Sequence, residues 1–204
     1  MTLSEFDNEI RKDHNVVCGC DEAGRGPLAG DVFAAAVIFD KDTVIEGIND
    51  SKKLTAKKRE ELFDEIMEKA VDFSIQTATV EEIEDINILN AAMLAMKRAV
   101  EDMDTKPDVC LIDGNKTPDG LECPAIAVVK GDAKSQAVAA ASILAKVARD
   151  RYMEQMAEQY PEYRFEKHKG YGTKLHYEMI DQYGPCGIHR MSFLKKYYAK
   201  KNGH

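Results

Sequence analysis

The 204-residue sequence predicts an α/β fold, and three observations carry that expectation. Short apolar runs of strand length alternate with longer segments of helical periodicity. One of those runs, Asp108–Ile112 (DVCLI), is apolar throughout, as strands covered on both faces of a parallel sheet are. Finally, acidic residues fall where strands hand over to loops, the position at which open α/β sheets bind ligands: Asp21 with Glu22, Asp113 and Asp132.

In chain order, Val16–Cys20 reads as a short buried strand that delivers Asp21 and Glu22 into a loop carrying Gly24, Gly26, Pro27 and Gly30. Alone, an acid pair before such a loop reads more readily as a turn cap with its shaping glycines. Val32–Phe39 follows closely enough to pair with the first strand as a hairpin. Gly47 and Asn49-Asp50 mark a turn, after which Thr55 is the expected N-cap of a helix with Leu62 and Ile66 on its buried face. Lys52 and Lys53 lie just outside that helix and on charge alone read as a solvated turn.

Asp72–Val80 alternates as a half-buried strand with Phe73, Ile75 and Thr77 on one face. Ile88–Met103 is expected to be a helix whose stripe of Leu89, Ala92, Met93, Met96, Val100 and Met103 is core. Asp113-Gly114-Asn115 follows the DVCLI strand, and a further short strand, Ala125–Val129, ends in Lys130-Gly131-Asp132. Asp132 reads as the N-cap of a long helix from Ala133 to about Tyr160, whose Ala-rich first half must pack closely on its neighbour. Beyond Pro161 comes a basic loop in which Gly170 and Gly172 flank Tyr171 and leave its ring free to stack. A helix stopped by Gly184-Pro185 and a last basic helix, Met191–Lys200, complete the chain.

Composition bounds the function. With 44% hydrophobic and 31% charged residues the chain suits one globular domain, expected over 1–204 with a basic helical region from about 161. No apolar run is long enough to span a bilayer, and the charged N-terminus is neither a signal peptide nor an anchor, so a cytoplasmic protein is expected. Five cysteines without a CxxC pair read as reduced thiols and disfavour zinc. The net charge of −8 hides an asymmetry: Arg164–Lys201 holds nine basic residues against three acidic ones. Such a region fits a polyanion-binding surface or an ordinary solvated helix equally. A monomer is expected from the lack of an exposed apolar seam.

Asp21, Glu22, Asp113 and Asp132 would repel one another if brought together, and bound cations would stabilise the cluster. Oxygen donors without Cys or His select Mg²⁺ or Mn²⁺. Two such ions about 4 Å apart clamp the attacking and leaving oxygens in phosphodiester hydrolysis.

Six motifs, CDEAGRGPLAG, DSKKL, LIDGN, KGDAKSQAVAAASILAKVARDR, HKGYGTKLHYE and HRMSFLK, together resemble the type 2 ribonucleases H nearly end to end. The resemblance implies a ribonuclease H-like fold: a mixed five-stranded sheet flanked by helices, with a small C-terminal helical region. It places Asp21, Glu22, Asp113 and Asp132 on the catalytic metal-binding acids, and Gly24, Arg25 and Gly26 on the backbone motif that senses a ribose 2′-hydroxyl. Tyr171 falls on the tyrosine that stacks on the neighbouring deoxyribose, and Lys52 and Lys53 fall on phosphate contacts. The implied substrates are RNA/DNA hybrids and DNA duplexes containing ribonucleotides, cut 5′ to the ribonucleotide to leave 3′-hydroxyl and 5′-phosphate ends. A close-approaching glycine backbone suits that reading, because the 2′-hydroxyl is what separates RNA from DNA.

Asp150, four residues after Lys146, reads as a structural ion pair. His168 and His189 read as structural, with phosphate contact as the alternative, and Lys134 and Lys146 are assigned no role. Three rivals fit less well. A type 3 ribonuclease H would carry an additional N-terminal domain, a non-catalytic binder gains nothing from carboxylates facing phosphates, and a small-molecule phosphotransferase leaves Tyr171 unexplained.

Overall fold

A computed structural model describes residues 1–48, 51 and 54–202. Five strands, β1 (Val17–Ala23), β2 (Val32–Ile38), β3 (Asp72–Ala78), β4 (Val109–Asp113) and β5 (Ala125–Val128), form one sheet in the order β3-β2-β1-β4-β5. The first three pair antiparallel, whereas β4 lies parallel to β1 and β5 parallel to β4. The sheet is therefore mixed, as expected, and its parallel half puts the carboxyl ends of β1 and β4 side by side.

Helices cover both faces. Helix α3 (Val80–Glu101) lays Ala92, Ala95, Met96 and Ala99 on the face formed by Cys18, Cys20, Ala34, Ala36 and Ile112. The stripe read as core is core, though its outer members Leu89 and Met93 are only half-buried. On the opposite face, α2 (Ala56–Lys69) and α4 (Gln136–Gln159) pack Leu62, Ile66, Ala140 and Leu144 against Ala35 and Val37. The contact between α4 and the sheet is closest at Gly19, where an added Cβ would lie 2.2 Å from the carbonyl carbon of Ala137. Only a glycine facing an alanine-rich helix permits that approach, and it brings α4 down onto the strand that carries Asp21.

Several boundaries differ from the sequence expectation, each for a local reason. β1 runs on to Ala23, so Asp21 and Glu22 lie on the strand itself and are held by its pairing to Ala35 and Ala34. Helix α3 begins eight residues early, because Thr79 and Glu82 form a capping box, and Asn87 at φ 68° breaks it where the apolar stripe begins. Asp132 does not cap the long helix: Ser135 does, by accepting from the amide of Val138, and Asp132 sits in a single 3₁₀ turn before it. An unpredicted N-terminal helix, α1 (Leu3–Ile10), sends Asp7 onto the amide of Ala137 at 2.9 Å.

After α4 the chain makes the short helix α5 (Phe165–His168), then α6 (Lys174–Tyr183), capped by Thr173, and α7 (Met191–Asn202). These pack through Tyr163 and Phe165 on Ala29 and Met153, and through Ile180 and Leu194 on Leu28. The region carries less free positive charge than the sequence count implies. Arg190 is fully buried, Lys169 pairs with Glu154 at 2.7 Å, and Lys201 pairs with Asp181 at 2.7 Å.

Candidate active site

The site is built at the carboxyl ends of β1 and β4. Parallel pairing sets Cys20 beside Ile112, so one further step sets Asp21 beside Asp113. Strand alternation then turns both side chains toward the face covered by α4 and Glu22 toward the other. Asp113 accepts from the amide of Gly131 at 2.6 Å, which ties β4 to the turn whose next residue is Asp132. Asp21 is 6% and Asp132 8% exposed, unusually deep for carboxylates.

Asp21 shows the electrostatic cost. Burial pushes its carboxyl well above the usual carboxylate range, and the charges of Glu22 and Asp113 push it further. A hydrogen bond with Ser142 of α4 and the amide of Glu22, 2.7 Å away, offset this in part. Mutual repulsion of buried acids is relieved by a cation, so the donor chemistry fits a hard divalent ion. Among the described residues, no three His, Cys, Asp or Glu side chains close as a preformed metal cage. The structure instead brings Asp21, Glu22 and Asp113 into electrostatic contact, and the Gly131 amide ties Asp113 to the turn that carries Asp132.

Asp21 and Glu22 open onto a cavity of about 470 Å³ that is also lined by Gly24, Arg25, Gly26 and Tyr171. Asp113 and Asp132 are not part of that lining. The Arg25 guanidinium lies 3.1 Å from Glu22, half-exposed over the mouth. Tyr171 is 42% exposed, as its flanking glycines suggest, and the cations of Lys146 and Arg149 lie 5.8 and 5.9 Å from its ring centroid.

The two glycines of the loop have different reasons. Gly24 has φ +103°, and a Cβ there would lie 2.2 Å from Nε of Arg149. Gly26 has neither constraint: the nearest atom to an added Cβ is Cε1 of Tyr171 at 3.8 Å, an ordinary contact. Among the described residues, nothing in the packing demands a glycine at 26.

Lys52 and Lys53 lie outside the described residues. Asp150 pairs with Lys146 at 2.6 Å, as read from their spacing. His168 is structural, bonded to Tyr163 O at 2.9 Å and to the amide of Gly170. Sequence reasoning missed Ser142, Arg149, His176 and Arg190. Ser142 carries no signal within an alanine-rich helix, and the arginines read as surface charge.

Comparison with known proteins agrees with this architecture. The family model described as Ribonuclease HII matches residues 18–196. A ribonuclease HII of Caldicellulosiruptor saccharolyticus is 55% identical over 93% of this chain and 92% of its own length. One from Marinomonas is 59% identical over 88% and 90%. Among solved structures, the ribonuclease H2 of Pyrococcus horikoshii superposes with a TM-score of 0.72 at 30% identity, covering 87% of this chain and 93% of that one.

Proposed function

The chain belongs to the ribonuclease HII family, and from that membership we propose that it cuts the phosphodiester 5′ to ribonucleotides, both in RNA/DNA hybrids and at single ribonucleotides embedded in duplex DNA. The products are a 3′-hydroxyl and a 5′-phosphate. Asp21, Glu22, Asp113 and Asp132 hold Mg²⁺ or Mn²⁺, which supply an activated water and stabilise the leaving oxygen when bound. The protein's own residues orient the substrate. The main chain of Gly24, Arg25 and Gly26 meets the 2′-hydroxyl, Tyr171 packs on the deoxyribose beyond it, and Lys52 and Lys53 meet phosphates. Cytoplasmic location and action as a monomer belong to the same reading.

The observation that carries this reading is Gly26. No described neighbour requires its missing side chain, and it lies on the wall shared by Asp21, Glu22 and the exposed Tyr171. A glycine kept open toward a cavity is what close approach of a ligand to the main chain needs. The test is an end-labelled DNA duplex with one ribonucleotide, incubated with Mg²⁺, with Mn²⁺ and with chelator. A metal-dependent nick on the 5′ side of the ribonucleotide is expected. Binding without any nick would leave a nucleic-acid-binding module in place of an enzyme.

A further inference from the structure

Resting on the reading of the Gly24–Gly26 loop and Tyr171 just given, we infer that the adjacent pair His189 and Arg190 positions these two substrate-reading groups relative to one another, and so sets discrimination of a ribose-to-deoxyribose junction from uniform hybrid. The segment that carries the pair is itself laid along the reading loop. Gly30 donates to Ile188 O and Arg190 donates to Leu28 O, both at 2.8 Å, and Ala29 bridges His189 as an antiparallel pair.

Arg190 reaches one reading group. It is fully buried, and its guanidinium donates to the carbonyl oxygens of Gly24 (2.7 Å), Arg25 (3.2 Å), Pro27 (2.9 Å) and Gly30 (2.6 and 2.8 Å). The loop is folded around a cation in place of a ladder. In a trans peptide the N–H points opposite to the preceding C=O. Drawing the carbonyls of Gly24 and Arg25 inward therefore turns the amides of Arg25 and Gly26 away from Arg190, as donors for a ligand hydroxyl.

His189 reaches the other. Its Nδ1 accepts from the amide of Cys186 at 2.9 Å, so its proton is on Nε2, which donates to Nε2 of His176 at 3.0 Å. His176 must then carry its proton on Nδ1, which donates to the carbonyl of Tyr171 at 3.0 Å. The chain runs one way from Cys186 to Tyr171 and needs both rings neutral. Burial holds both imidazoles down at about 4, which keeps them so at working pH. His168 stacks on His176 at 4.3 Å and closes the third side. A buried network could serve folding alone, but this one ends on the main chain of both reading elements. Displacement of either by a fraction of an ångström would degrade the fit.

The test compares kcat/KM for a duplex holding one ribonucleotide with that for a uniform hybrid. In His176→Leu the ratio should fall about tenfold, with uniform-hybrid cleavage held within about threefold, as for the loss of the buried hydrogen bonds to Tyr171 O and His189 Nε2. His176→Asn, whose amide can take the place of Nδ1, should restore most of the ratio. A folded His176→Leu protein with the wild-type ratio would overturn the inference. Should that variant not fold, imidazole ¹⁵N spectra of the unaltered protein decide: Nε2–H on His189 with Nδ1–H on His176 supports the tether, and any other tautomer pair overturns it. A wild-type protein without junction preference would instead sink the reading of Tyr171 on which the inference rests.

Discussion

The two halves of the site are built in opposite ways. The acids stand on the ends of β1 and β4 and in the turn after β5, where strand pairing alone sets the approach of Asp21 to Asp113. The groups proposed to read the sugar stand on loops, held by Arg149, Arg190, His176 and His189, each buried. Groups that perform chemistry tolerate little displacement and are placed on rigid strands, whereas groups that read a sugar must protrude and are stiffened from beneath. Repulsion strains the first half, and burial of polar groups strains the second.

Breaking the acid half should have the largest effect. Asp113→Asn removes a carboxylate proposed to hold the metal and should lower the cleavage rate by about a hundredfold or more, the usual scale for an electrostatic group at a reacting centre. Because it also removes repulsion from Asp21, the melting temperature of the metal-free protein should hold or rise. Calorimetry with and without Mg²⁺ checks both signs.

Paired glycine variants sharpen the comparison. Gly24→Ala meets Arg149 at 2.2 Å with φ at +103°, so it should cost about 2–4 kcal/mol of stability in denaturant unfolding. Gly26→Ala should cost less than about 1 kcal/mol yet reduce ribonucleotide selectivity. Equal losses of stability in the two would mean that Gly26 serves the fold after all.

The third effect is a pH dependence contributed by the reading half, opposed in the acid half by Asp21, whose raised carboxyl favours the folded state as pH falls. His176 and His189 are held down at about 4 by burial, against an ordinary value of 6.5. In the unfolded chain they take up protons sooner, so stability is full above pH 6.5 and falls as pH drops toward 4. Measured against His189→Gln, the urea midpoint of the wild type should decline across that window. Smallest of all, Glu154→Ala, which removes the exposed partner of Lys169, should change stability by about 0.5 kcal/mol and leave cleavage unaltered.

Legibility in the sequence followed the same division. Strand periodicity and acids at strand ends led to Asp21, Glu22 and Asp113, because adjacency in a sheet follows from alternation and register. Asp132 was singled out by the same pattern, but its reading as a helix cap fails: Ser135 is the better-placed cap, and a 3₁₀ turn intervenes. Helix α3 was read too short because its first turns offer only Val80, Ile83 and Ile86 among four acids before Asn87 interrupts the helix. Arg149 and Arg190 escaped notice for a physical reason. An arginine whose donors all meet main-chain carbonyls has no acidic partner in the sequence to announce it, and so counts as surface charge. The histidine chain escaped likewise, since its three hydrogen bonds join Cys186, His189, His176 and Tyr171 across two segments whose contact no sequence pattern announces.

One binding measurement addresses the division of labour most directly. Asp113→Asn protein is titrated, in Mg²⁺, with two duplexes that differ only in a single ribonucleotide. If chemistry and reading are separate, the variant binds the ribonucleotide-containing duplex in preference to all-DNA by the same ratio as uncleaved wild type held in Ca²⁺. Loss of that ratio along with cleavage would contradict it, and would make the carboxylates part of the reading apparatus.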